Sequence, residues 1–154
     1  MSETPRLIKI LNCSWNRLTK YKLPIHKTMR IECENRIVFV RMCEVDYFCC
    51  VIDEDNNIKV VDVEKREVHV EKKEKKRDQS EENPRKITSV EWIDWQSLMI
   101  GDNKGTLRIY NALNINLEEE YKNLHESSIL SVACFDDYRY SCSFDRVLKK
   151  MKKN

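Results

Sequence analysis

Four short segments of this chain begin alike: Ile8–Asn12 "IKILN", Ile58–Asp62 "IKVVD", Leu107–Asn111 "LRIYN" and Leu148–Lys152 "LKKMK". Each runs apolar residue, then cation, with an apolar residue again at the fourth place. Their starting points lie 41 to 50 residues apart. A recurrence of that length means copies of one supersecondary unit, each too small to bury its own faces and so stacked on the next. What precedes each segment recurs as well. "DYFCCVIDEDNN", "WQSLMIGDNKGT" and "DYRYSCSFDRV" each place an apolar or small-residue strand before a polar turn. Upstream again, "RIVFVRMC", "KITSVEWI" and "SSILSVACF" are β-branched and alternating, as half-buried strands are. "REVHVEK" and "EEEYKNLH" supply a fourth strand. The expected class is therefore all-β, with units of strand, turn, strand, tight turn, strand and a closing strand.

One stretch competes with this reading. Leu113, Leu117, Tyr121 and Leu124 fall at helical spacing, and "NLEEEYKNL" contains good helix formers. Against a helix, the span from Tyr110 to His125 has the length of a strand and its two flanking turns, so a strand is expected.

At this point the chain resembles the WD40-repeat family. The match is best at the end, where "LHESSILSV" sits where the family has Gly-His before the first strand. "SCSFDRVLKKM" sits where it has Ser-x-Ser-x-Asp and a later Trp. The resemblance implies a β-propeller of four-stranded antiparallel blades. It places His125, Ser143 or Ser141, and Asp145 in the buried hydrogen-bond network of a blade, with Asp55 at the equivalent turn position of an earlier unit. Val61-Asp62 and Tyr110-Asn111 stand where the family has Trp-Asp, and Lys104 replaces the turn aspartate. No unit keeps the Trp-Asp pair.

The expected organisation is a single repeat domain over 1–154. Its units are roughly 7–25 (partial, with a strand over 17–25), 31–72, 86–124 and 125–154 (partial), and a charged loop over 71–86 joins two of them. That is about three blades. Closed propellers typically have about four to eight, so the expectation is an incomplete ring. A second copy or a different protein would complete it, or the chain is a piece of a longer product.

Composition narrows the function classes. The chain has 154 residues, 41% hydrophobic and 35% charged, with a formal net charge of +2. That content supports a folded core, and a charge so near balance leaves nucleic-acid binding to local patches. The longest apolar runs, "IVFV" and "FCCVI", fall far short of the roughly 20 residues of a membrane span. "MSETPRLIKI" has no apolar signal core. Seven cysteines, with no C-x-x-C and an adjacent Cys49–Cys50 pair, suit neither a disulfide framework nor a zinc site with His26, His69 or His125. They are read as reduced thiols of an intracellular protein, cytoplasmic, nuclear or both.

Catalysis finds little support. Asp53, Glu54 and Asp55 cluster in a hairpin turn, where acids serve the backbone. Ser, His and Asp occur together in the last unit but without a nucleophile elbow. "GDNKG" lacks the Lys-Ser/Thr pair of a phosphate loop. No cofactor or metal is expected. The leading expectation is a non-catalytic protein-interaction scaffold, with Trp92 and Trp95 as candidate interaction residues, one core and the other an exposed anchor, set against the plainer reading that both pack between blades. The alternative is a ribonucleoprotein or ribosome-assembly factor that touches RNA through Lys149, Lys150, Lys152 and Lys153. It is prompted by "FDRVLKK", which resembles the last blade of WD-repeat proteins of large-subunit assembly. The basic run "KKEKKR" is offset by Glu71, Glu74, Asp78, Glu81 and Glu82 and reads as a solvated loop.

Overall fold

The computed structural model describes residues 6–11, 28–74 and 83–153, and within them every regular element is a β-strand. The second sheet shows the local logic most clearly. Strands β3 (Ile37–Met42), β4 (Phe48–Asp53), β5 (Ile58–Asp62) and β6 (Glu67–Lys72) pair antiparallel in chain order. β4 and β5 are inner strands rich in Val and Ile and are buried on both faces, which is why they read as unbroken apolar runs. β6, at the edge, alternates acid and base with Val and stays largely exposed.

The third sheet repeats the plan with β7 (Ile87–Asp94), β8 (Ser97–Asp102), β9 (Leu107–Asn111) and β10 (Leu117–Tyr121). The segment with helical spacing is thus strand β10 and its turns. Cross-strand pairing of Leu117 with Tyr110 and of Glu120 with Arg108 prevails over the helix propensity of the three glutamates. The fourth sheet has three strands, β11 (Ile129–Phe135), β12 (Tyr138–Ser143) and β13 (Leu148–Lys152). The first sheet is a pair, β1 (Arg6–Leu11) with β2 (Thr28–Cys33). The expected strand over 17–25 lies outside the described residues. The partner that β1 has is β2, so the unit boundary expected at 31 falls inside a strand. The boundary of the charged loop shifts too, since Glu71 and Lys72 belong to β6; residues 75–82 of that loop lie outside the described residues.

Successive sheets stack face to face, and each junction has its own apolar core. Ile31 and Cys33 of β2 meet Cys49, Val51 and Val61 of the second sheet. Cys50, Ile52 and Val60 turn the other way and meet Val90, Trp92, Leu98, Ile100 and Tyr110 of the third. Met99, Leu107 and Ile109 pack on Ile129 and Val132 of the fourth. Strand alternation accounts for this: neighbouring residues of one strand serve opposite junctions. The adjacent Cys49 and Cys50 divide in just this way, and burial raises both thiols, Cys49 to a pKa of about 12.

β3, β7 and β11, the first strands of the last three sheets, are also neighbours and are linked by side chains. The Trp92 indole N–H donates to the Arg41 carbonyl at 2.9 Å, and the Thr88 hydroxyl to that of Ile129. The arginine Arg139 of β12 grips Glu119 of β10 with two bonds, 2.8 and 3.1 Å, across the third junction.

The tight turns explain how a turn-rich chain manages with two glycines. Asn56, Gly105 and Arg146 hold the same place in the β4–β5, β8–β9 and β12–β13 turns, with φ of 64°, 74° and 67°. Two of the three carry this left-handed backbone on a side chain. Gly105 must be glycine for another reason: a Cβ there would lie 2.1 Å from the carbonyl oxygen of His125. Gly101 is a second close approach, since a Cβ would come within 2.7 Å of Ile129. Both glycines admit the fourth sheet to the third.

Candidate functional site: the last turn, the strand-end cleft and the basic edge

The residues singled out at the end of the chain meet. Asp145 lies in the β12–β13 turn, and its Oδ2 is 2.9 Å from Nδ1 of His125 in the link between β10 and β11. Nε2 of that imidazole is 2.8 Å from the Ser141 hydroxyl on β12. His125 is 2% exposed and Ser141 0%. The Asp145 carboxylate also accepts from the backbone N–H groups of Glu126 at 3.1 Å and Val147 at 2.9 Å. Burial pushes its pKa upward, but these donors and His125 outweigh that, and the group ends below the ordinary aspartate value. Ser143 belongs to the same corner: its hydroxyl donates to the Ser127 carbonyl and accepts from the Asp145 N–H. The His125 N–H donates to the Gly105 carbonyl at 3.0 Å, joining the corner to the third sheet.

These are the atoms of a hydrolase triad, with the Ser141 hydroxyl buried against the imidazole.

The earlier turns solve the same problem with different residues. Asp55 was expected to match Asp145, and by position it does. The buried carboxylate of that turn is instead Asp53, two residues earlier. Its Oδ1 accepts from the N–H groups of Asp55 and Asn57, both at 3.0 Å, and its Oδ2 from the Asn57 amide at 2.8 Å. Asp55 itself is exposed. In the third sheet Asp102, not the Lys104 position, caps the turn through Lys104 and Thr106. Its other oxygen binds Arg108 and, at 3.3 Å, Arg85. In both turns the strand-end aspartate accepts from the N–H groups two and four residues on, the pattern of a side chain that caps its own turn. In the fourth sheet that strand-end place is held by Ser143, and the mid-turn Asp145 reaches His125 instead. The link into the next sheet is held differently as well. Asn56 donates to the Arg85 carbonyl and accepts from the Ile87 N–H, the task done at Gly105 by direct backbone approach.

At the opposite ends of β3, β7 and β11 lies a cleft of about 340 Å³, walled by Cys43–Val45, Glu91–Asp94 and Ala133–Asp136 with Lys153. Val45 and Phe135 rim it at 74% and 70% exposure. The two candidate tryptophans separate. Trp92 is a core residue whose indole is bonded across the second junction, while Trp95, 42% exposed in the turn after β7, faces solvent. Neither Val45 nor Phe135 was singled out in the sequence, although each stands at the end of an alternating strand where a polar turn residue is expected.

The four C-terminal lysines do not form one free patch. Lys149 donates to the Leu124 carbonyl, and Lys150 lies 3.7 Å from the centre of the Tyr138 ring. Lys152 is exposed, and Lys153 lines the cleft. Among the described residues no group of three or more His, Cys, Asp or Glu side chains is placed to hold a metal ion, and no helix is long and apolar enough to cross a membrane.

No protein-family model matches the chain, and no curated protein matches it. Among solved structures it is similar to the computationally designed Ika4 protein, with a TM-score of 0.62 at 16% identity over 83% of this chain and 72% of that one. It is also similar to the computationally designed Ika8 protein, with a TM-score of 0.61 at 16% identity, covering 82% of this chain and 36% of that one. The chain thus spans little more than a third of the Ika8 chain. At such identity the likeness is one of fold alone.

Proposed function

We propose that the chain is a partial, WD40-like β-propeller that serves as a non-catalytic protein-interaction scaffold inside the cell. The observation that carries the scaffold reading is the cleft at the ends of β3, β7 and β11, whose rim leaves Val45 and Phe135 mostly exposed. Exposed apolar side chains gathered around a concavity built from three sheets are the usual signature of a surface awaiting a partner. The propeller reading is supported by the serial stacking of antiparallel sheets and by the His125–Asp145–Ser141 corner. The buried Ser141 supports the absence of catalysis. A second copy is one candidate for completing the arc, and the alternative of RNA contact rests on Lys152 and Lys153, since Lys149 and Lys150 already have partners.

The test is affinity capture with the whole chain against a Val45→Glu/Phe135→Glu double variant, with thermal melts confirming that both are folded. The expected result is a set of proteins retained at moderate salt by the parent and lost by the variant. Equal retention would overturn the role of the cleft. RNA retention that falls steeply with salt would favour the alternative. Light scattering across a concentration series tests completion by a second copy: a folded monomer throughout would remove it.

A further inference from the structure

The cleft at the ends of β3, β7 and β11 has a sign as well as a shape. Glu44, Glu91, Asp94 and Asp136 line it, and Lys153 is the single cation among its lining residues. Elsewhere in the stack acids are matched: Glu120 lies 2.7 Å from Arg108, Glu119 2.8 Å from Arg139 and Glu54 3.3 Å from Arg36. The four cleft carboxylates form no ion pair with a described cation. Glu91 and Asp94 each accept from a nearby backbone N–H, those of Trp92 and Gln96, which leaves their charge uncancelled. The acids come from three sheets, so the capping habit of one turn does not explain them. Glu44 follows β3, Glu91 and Asp94 belong to β7, and Asp136 follows β11. A cleft lined by one sign of charge between low-dielectric walls focuses its field and draws in the opposite charge.

We propose that this cleft seats a basic, extended segment of a partner polypeptide, its cations among the four carboxylates and its apolar side chains against Val45 and Phe135. The inference rests on the scaffold reading and names the chemistry of the partner. Both apolar rim residues have an acid as their chain neighbour, Glu44 beside Val45 and Asp136 beside Phe135. An apolar anchor next to a cation therefore satisfies the rim on either side. A nucleic acid does not suit this place, because its phosphates would meet the same four charges.

The probe is a fluorescein-labelled peptide, KFKLKG, titrated into the whole chain and read by anisotropy, with EFELEG as its acidic control. Saturable binding of the basic peptide is expected, weakening between about 50 and 300 mM salt, with none of the acidic one. Glu91→Gln/Asp136→Asn should weaken it about fivefold, and Lys153→Met should tighten it about twofold, the scale of partly exposed charges. A misfolded variant can produce the loss but not the gain. Binding indifferent to salt and to both changes would overturn the proposal. Residues 12–27, outside the described residues, hold Arg17, Lys20, Lys22 and Lys27 and no acid, so the same chemistry exists within the chain. Peptide binding that appears only when those four are changed to Gln would mean a cleft filled from within, and would also overturn it. No binding to either protein at millimolar peptide would do the same, whichever segment covers the site, residues 1–5 and 75–82 included. If the peptide fails while the Val45→Glu/Phe135→Glu variant still loses captured proteins, the charge assignment falls and the scaffold reading stands.

Discussion

Replacing Gly105 by alanine isolates the contact that joins the fourth sheet to the third. Three costs add. The left-handed backbone at φ 74° costs a residue with a Cβ about 1 kcal/mol. The new carbon would sit 2.1 Å from the His125 carbonyl oxygen, 2.8 Å from its carbon and 2.9 Å from the Ser127 oxygen. Those are backbone atoms, so no rotamer change relieves them, and overpacking of this kind costs about 1–3 kcal/mol. The displacement also stretches the 3.0 Å bond from His125 N–H to the Gly105 carbonyl, worth about 1 kcal/mol. Stiffening of the unfolded chain returns up to about 1 kcal/mol. The net loss is about 2–5 kcal/mol.

Arg146→Gly is the internal control, because it holds the same turn place at φ 67°. There the backbone relief and the added unfolded-state entropy nearly cancel, and the change should stay within about 0.5 kcal/mol. Urea unfolding followed by tryptophan fluorescence reads both variants. A Gly105→Ala variant less than about 1 kcal/mol below the parent, at unchanged slope, would refute the close approach and with it the seating of the fourth sheet.

Ser141→Ala leaves Nε2 of the buried His125 without its partner and should cost about 1–3 kcal/mol by the same urea assay. Trp92→Phe orphans the Arg41 carbonyl and opens a void at the second junction; a loss of about 1–3 kcal/mol is expected, measured by thermal unfolding. Acid should unfold the protein through Asp145, Glu119 and Glu120, whose pKa values all lie below their ordinary ones. A depressed folded pKa means the stabilisation is complete above the unfolded value, about 4, and drains away as pH falls through the folded one. Melting temperatures taken stepwise from pH 6 to pH 2 should therefore hold first and then drop below about 4, and a decline already complete at pH 5 would contradict these pairings.

The strand order of the second, third and fourth sheets was legible because apolar alternation and the recurring segments are local signals. The meeting of His125, Ser141 and Asp145 was legible only through a family resemblance, since nothing in the spacing of 125, 141 and 145 demands it. Asp55 holds the turn place of Asp145, as the resemblance implies, but it is exposed, and the turn's backbone N–H groups go to Asp53. Arg139 with Glu119 was invisible because the pair joins edge and inner strands of two sheets, and no single repeat contains both. The paucity of glycine, awkward for a β protein, became intelligible once Asn56 and Arg146 were found to carry left-handed turns themselves.

The division of Cys49 and Cys50 between two junctions gives this chain a pair of built-in clocks. Each thiol is wholly shielded, and its raised pKa leaves almost no thiolate to react with an alkylating reagent. Labelling can proceed only when the layer over that sulfur lifts. Cys49 times the parting of the first sheet from the second, and Cys50 times the parting of the second from the third. Their relative rates, read by mass spectrometry on one peptide, would tell whether the stack comes apart from its end or splits through its middle.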